Sequence, residues 1–255
     1  MSSSISTPAA LSSEARALGG ICWRLVEAQH HVSTLKLVDA LDEQALLESL
    51  IEDTKLRVPP ECRHLDYLLF TPFRHAAYPT GSRFRRAGMT EGVFYAAERP
   101  ETAAAEMAFY RLLFFVESPA TPWPTNPAEY TAFAAQWATE RAIDLTLKPF
   151  KAHSAQWSHP TNYSHCQALA DAARRAAVDV IRYRSVRDPG KGMNLALLAC
   201  RVFTKPKPVK RQTWRIRLST FGAQAICEAP KAGIGFDRAA FGVDPRIATL
   251  NWDRQ

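Results

Sequence analysis

The sequence predicts an α+β fold: a mixed sheet core with flanking helices and a helical N-terminal extension. Three observations lead there. The chain has 255 residues, 47% hydrophobic and 22% charged, the balance of a globular chain that buries roughly 70–75% of its unfolded surface. Segments that alternate apolar and polar residues, such as Thr213-Trp214-Arg215-Ile216-Arg217-Leu218-Ser219, lie among segments with helical spacing. The two kinds follow one another without a regular strand-helix-strand rhythm, which argues against a doubly wound parallel sheet. No apolar run nears the ~18 residues of a membrane span, and no internal repeat is visible.

The elements follow in order. The first twenty residues are rich in Ser and Ala, with neither a basic start nor an apolar run, so they do not read as a secretory signal and are expected to fray. Residues 33–53 place Leu37, Leu41, Leu47, Leu50 and Ile51 near helical spacing with acids opposite, predicting an amphipathic helix that stops before Pro59-Pro60. That proline pair sets the expected boundary: residues 1–55 form an extension, partly disordered and then helical, and 56–255 the main domain. Residues 68–73 (LLFTPF) and 92–97 (GVFYAA) read as strands. Pro100 opens a helix that continues through Ala103 to Val116. Asn126-Pro127-Ala128-Glu129 resembles a capping box, predicting a helix to about Thr139. Ile143, Leu145 and Leu147 alternate as a strand, Thr161 caps a helix over 162–177, and 180–186 and 194–203 are strand candidates. In the segment around Trp214, the residues Trp214, Ile216 and Leu218 share one face and Arg215 and Arg217 the other.

Charge and cysteine use narrow the chemistry. Thirty-two basic against 25 acidic residues give a net charge of +7, which favours anionic partners: nucleotides, phosphate, nucleic acid or an acidic protein. Five cysteines, an odd number without a C-x-x-C pair, suit reduced thiols and a cytoplasmic location. His153, His159 and His165 recur every six residues, matching neither a helical face nor the i, i+4 zinc arrangement, so no metal site is expected. Residues 188–192 (DPGKG) lack the spacing of a phosphate loop and read as a turn. Residues 205–211 (KPKPVKR) read as a solvated, stiff connector.

The informative stretch runs from Phe70 to Glu106. It carries an arginine after a strand-like run (TPFRH), a Gly-Ser-Arg turn (GSRF), an aromatic strand (GVFYAAE) and a helix with a glutamate in its second turn (ETAAAE). Guanidinium forks for phosphate, a ring for stacking and a carboxylate are what a nucleotide-sugar site needs. In these residues the chain resembles the RES family, the toxin half of bacterial toxin–antitoxin pairs, over about residues 65–205. Arg74 and Arg83 match its first and second arginines, Tyr95 its strand tyrosine, Glu106 its glutamate and Ser185 the serine of its Y-x-S-x-R segment, followed by the strand of Asn194.

The resemblance implies an ADP-ribosyltransferase-like fold and NAD as the bound substrate, cleaved between nicotinamide and ribose, with no metal. It implies that Glu106, Arg74 and Tyr95 are catalytic and that Arg74, Arg83, Tyr95, Ser185 and Asn194 bind NAD. Glu106 would hold the ribose 2′-hydroxyl and stabilise an oxocarbenium-like transition state, the arginines would grip the pyrophosphate, and Tyr95 would stack on nicotinamide. Ser185 would hydrogen-bond a phosphate or ribose oxygen. The acceptor of ADP-ribose is phosphate or water, with a protein acceptor as the alternative; a basic nucleic-acid-binding module is the alternative from another class. The implied partner is a helix-turn-helix antitoxin, and residues 33–53 are a candidate docking or self-association element.

Overall fold

A computed structural model describes residues 4–27, 37–54, 57–74, 79–88, 91–242 and 244–253. Eight strands form one sheet: β1 (Arg16–Glu27), β2 (Phe94–Ala97), β3 (Ala128–Asp144), β4 (Val180–Arg184), β5 (Met193–Leu197), β6 (Lys210–Ser219), β7 (Gly222–Cys227) and β8 (Ala232–Asp237). Their order is β1-β2-β5-β4-β3-β6-β7-β8, and β1 also pairs with β3. That extra pairing closes β1, β2, β5, β4 and β3 into a ring from which β6, β7 and β8 extend. All pairings are antiparallel except β3 with β4. The helices are α1 (Pro8–Glu14), α2 (Leu41–Asp53), α3 (Tyr67–Arg74), α4 (Pro100–Glu117), α5 (Ser154–Trp157), α6 (Ser164–Arg175) and α7 (Pro245–Ala248). The fold is therefore α+β, a mixed sheet with flanking helices, and no described helix is long and apolar enough to cross a membrane.

The longest strand corrects an expectation. Residues 126–139 form no helix; they begin β3, because their side chains alternate between two buried layers. Tyr130, Ala132 and Ala134 join the core under α4, whereas Phe133, Ala135 and Trp137 join the core on the opposite face. A helix would bury one stripe, and this segment must bury both sides. The alanines leave room for α4, whose own contact face is Ala103, Ala104, Ala105 and Ala108, with Phe109 and Leu112 beyond.

The segment 68–73 is a helix, not a strand. Asp66 ahead of it accepts the Leu68 amide at 3.0 Å, a side-chain cap that starts the turn, and Pro72 sits inside α3. The backbone of Gly92 passes so close that a Cβ there would lie 2.0 Å from the Pro72 carbonyl oxygen.

The N-terminal expectation changes as well. Residues 16–27 do not fray or lie beside the domain: β1 runs antiparallel to β3 from Arg16↔Ala142 to Glu27↔Tyr130 and touches β2 at Trp23↔Ala97. Cys22, Trp23 and Leu25 are buried in its cores. The boundary at residue 55 thus does not set off an appendage, since an extension that completes a sheet belongs to it.

The expected helix at 33–53 is present as Leu41–Asp53, and residues 28–36 lie outside the described residues. Its apolar ridge is uncovered, with Leu41, Leu46 and Leu50 at 75%, 61% and 55% exposure. The helix at 162–177 is Ser164–Arg175, with Tyr163 and not Thr161 at its N-cap, and the side-chain oxygen of Asn162 just ahead accepts the Ser164 amide at 3.0 Å. The strand expected over 194–203 stops at Leu197 and gives way to a short helical turn at Cys200–Val202. Cys200 there is disulfide-bonded to Cys62, with a Cα–Cα distance of 5.9 Å. This corrects the expectation of reduced thiols for two of the five cysteines; Cys22, Cys166 and Cys227 are free and buried.

Candidate active site

On α4, residues Ala103, Glu106, Met107 and Tyr110 share one face because they recur at three- and four-residue spacing. That face looks across a cavity of about 290 Å³ toward β1, β2 and the loop at 81–88. Glu106 is half-buried and tightly held. Ser185 Oγ donates to its Oε1 at 2.7 Å and Asn194 Nδ2 donates to the same oxygen at 2.6 Å. Both donors use one oxygen, so Oε2 has no hydrogen bond from the described residues.

Three guanidinium groups line the cavity. Arg83 projects from a loop that other residues fix. The Tyr95 hydroxyl accepts the Phe84 amide at 2.9 Å and bonds Ser82 Oγ at 2.8 Å, while Gln167 donates to the carbonyls of Ser82 and Arg85. The Arg83 guanidinium stacks over Tyr163 at 4.7 Å and donates to the Trp157 carbonyl at 2.8 Å. Arg24, on β1, lies over the Phe94 ring at 5.1 Å and donates to the Tyr95 carbonyl at 3.0 Å. Burial pushes its pKa down to about 10, the neighbouring Cys22 and Tyr95 offsetting little of that, and it has no carboxylate partner among the described residues. Arg187 is buried over the Phe109 ring at 4.2 Å. Its Nη2 donates to the Pro160 carbonyl and the Tyr163 hydroxyl, and lies 3.3 Å from Asp244.

Two buried polar atoms in this neighbourhood have no partner among the described residues, Arg187 Nη1 and Asn194 Oδ1. One is a donor and the other an acceptor, and orphans of this kind are uncommon in folded proteins. Aromatic side chains complete the walls: Trp23, Tyr95, Tyr110, Tyr163 and Tyr183. Burial raises the pKa of Tyr95 above the ordinary phenol value and, helped by nearby Glu106, that of Tyr183 well above it, so both rings are neutral surfaces.

A family model described as the RES domain matches residues 57–219. The chain belongs to the RES domain family. Among solved structures this RES domain is similar to the crystal structure of the M. tuberculosis MbcT-MbcA toxin-antitoxin complex, at 14% identity and a TM-score of 0.45, with 79% of this chain and 90% of that chain covered. A likeness that distant carries no functional argument. No match was found among curated proteins.

Of the RES residues expected from sequence, the structure brings Glu106, Arg83, Tyr95 and Asn194 to one cavity. Ser185 stands behind Glu106, not on that cavity. Its hydroxyl donates to Glu106 and accepts the amides of Arg187 and Asp188 at 3.2 and 2.9 Å, so it ties the Glu106 carboxylate to the turn that follows β4. Arg74 is not brought to the cavity at all. It ends α3, buried, paired with Glu52 of α2 at 2.6 Å and packed over Phe70. The turn 188–192 is organised by the Asp188 carboxylate, which accepts the amides of Gly190 and Gly192 within the turn and Thr102 Oγ1 from α4. Sequence reasoning missed Trp23 and Arg24, which lie outside the matched residues, and gave Arg187 only a flanking place. The signal for the first two was present: Ile21-Cys22-Trp23-Arg24-Leu25-Val26 is an apolar, strand-forming run with one arginine at its centre. Among the described residues no group of His, Cys, Asp and Glu is arranged to hold a metal ion.

Proposed function

We propose that this RES-domain chain is a toxin that binds NAD and cleaves its nicotinamide–ribose bond, passing ADP-ribose to phosphate or water. The observation that carries the reading is Glu106: a carboxylate pinned through one oxygen, with the other free, beside a cavity lined by Arg24, Arg83 and Arg187. Breaking the bond at the ribose C1′ builds positive charge on the sugar, and a fixed carboxylate stabilises that charge as it grows. Oε2 of Glu106 accepts the 2′-hydroxyl and orients the ring. The C1′–N bond electrons leave with nicotinamide, which departs neutral and needs no acid. A phosphate or water oxygen then bonds to C1′, and water's extra proton goes to solvent.

The arginines and the orphaned atoms fit the substrate. Three cations in a small, largely apolar chamber oppose a developing sugar cation unless anions stand among them, and the pyrophosphate of NAD supplies those anions. Asn194 Oδ1 lacks a donor and Arg187 Nη1 an acceptor, and a ribosyl phosphate brings both kinds of group. The cavity sits at the lower edge of the ~300–1,000 Å³ range of ligand sites, matching the nicotinamide-ribose end and not the whole dinucleotide. A helix-turn-helix antitoxin is the partner this reading carries with it.

The test is to incubate the purified protein with NAD, with and without phosphate, follow nicotinamide release and identify the ribose product. Wild type releases nicotinamide, and Glu106→Ala lowers the rate by about 100-fold or more, the scale of one preorganised electrostatic group. Intact NAD after prolonged incubation with folded protein, whatever the phosphate level, refutes the proposal.

A further inference from the structure

Behind the candidate active site lies a second hollow of about 730 Å³. The two share Tyr183, Val186 and Arg187 as a common wall. We infer that this second hollow is a phosphate-binding subsite. The inference depends on the NAD reading only for where the phosphate comes from.

The charges in the hollow carry the argument. Its two acids are already committed. Asp188 accepts two hydrogen bonds from amides of its own turn and a third from Thr102 of α4. Asp244 accepts the Arg246 amide and two bonds from the Arg246 guanidinium, and lies 3.3 Å from Arg187. Burial works against the Asp244 carboxylate, but the Arg246 contacts outweigh it and hold the pKa below the ordinary value, so the group stays an anion satisfied by protein cations. Lys151, Arg184 and Lys191, by contrast, line the hollow exposed and with no acidic partner among the described residues. Arg187, buried at the shared wall, keeps Nη1 without an acceptor. Three cations without acidic partners among the described residues and one unpaired guanidinium nitrogen of Arg187 match a phosphate group. The rings of Phe109, Trp157 and Phe241 make the remaining wall apolar, which lowers the local dielectric and strengthens the attraction.

Two sources share this chemistry: the ADP half of NAD, and free phosphate waiting to accept ADP-ribose. Calorimetric titration of the full chain with inorganic phosphate and with ADP measures binding without turnover. Both are expected to bind, with affinity falling as salt is raised. In the folded double variant Lys151→Glu/Lys191→Glu, whose positions are exposed, affinity for the physiological source falls at least about tenfold, whereas the matched charge reversal Lys205→Glu/Lys207→Glu, exposed and away from the hollow, leaves it unchanged. Competition between phosphate and ADP assigns the hollow to the ADP half; phosphate binding at full strength to the ADP-saturated protein, and lost in the double variant, assigns it to the acceptor. No binding of either at millimolar concentration, or affinities untouched by the double charge reversal, overturns the inference. Because no NAD is present, either result stands whether or not the chain cleaves NAD.

Discussion

Removing the Ser185 hydroxyl distinguishes a serine that touches substrate from one that holds the Glu106 carboxylate proposed as catalytic. In Ser185→Ala three contacts disappear together: the 2.7 Å bond to Glu106, and the acceptor for the Arg187 and Asp188 amides at 3.2 and 2.9 Å. Two amides in a largely buried turn lose their partner, at about 1–2 kcal/mol each, so unfolding becomes easier by about 3 kcal/mol. For a chain of this length that lowers Tm by about 6–12 °C, measurable by calorimetry. Glu106 keeps its bond to Asn194 but gains freedom about its terminal torsions. A displacement of about 1 Å in a catalytic group costs up to ~100-fold, so kcat for nicotinamide release falls by about 10- to 100-fold while KM changes little. A serine that bound ligand would behave oppositely. A variant with unchanged Tm and kcat, and a KM raised tenfold or more, would refute the positioning role and restore the contact expected from sequence.

Other residues divide along the same lines. Arg24→Met removes a half-buried cation from the cavity wall and raises KM for NAD by about 10- to 100-fold, the strength of one charged hydrogen bond; a KM equal to wild type counts against β1 as part of the site. Arg74→Met, away from the cavity, keeps kcat/KM within about threefold of wild type and shows up only as a modest loss of Tm; steady-state kinetics beside a melting curve decides it. Asp244 has a folded pKa below its unfolded one, so its contribution to stability is in full above the ordinary carboxylate range and is lost as pH falls toward the folded value. Asp244→Asn is therefore less stable than wild type at neutral pH, and the difference narrows in acid; a gap that is constant with pH contradicts the linkage.

How much was readable depended on whether a residue's environment is local. Glu106 follows Pro100 in a helix of strong formers, and Tyr95 stands in a short alternating run bounded by Gly and Pro, so both elements were legible, and the family pattern attached chemistry to them. Trp214, Ile216 and Leu218 alternate with arginines and are buried on one face of β6 as expected. The failures have a common cause. Residues 128–139 are alanine-rich with a cap-like start, and only the presence of cores on both sides makes them a strand. Residues 68–73 contain proline and aromatic residues that suit a strand edge, yet Asp66 and the close passage of Gly92 select a helix. Arg74 sat at a plausible spacing from Arg83, but spacing along the chain cannot report that α3 turns it toward Glu52. The Cys62–Cys200 pair joins residues 138 apart in sequence, a distance at which spacing rules are silent.

Arg24 shows why the first strand matters beyond architecture. Its neighbour Trp23 is the point where the sheet closes, opposite Ala97 on β2 and Ala134 on β3. Arg24 reaches from that closure to the carbonyl of Tyr95, whose hydroxyl in turn fixes the loop that presents Arg83. The backbone that closes the ring is thus the backbone that spaces two of the cavity's three cations. Opening the β1–β2 contact would separate Arg24 from Tyr95 and let the charges relax into solvent, where burial no longer raises the cost of leaving them unpaired. The cavity therefore holds its cations close together only while the ring is shut. An anion that binds all of them stabilises the closed ring by its own binding free energy. On the proposed reading, anion binding in the cavity and the integrity of the sheet are coupled through one strand that lies outside the matched RES residues.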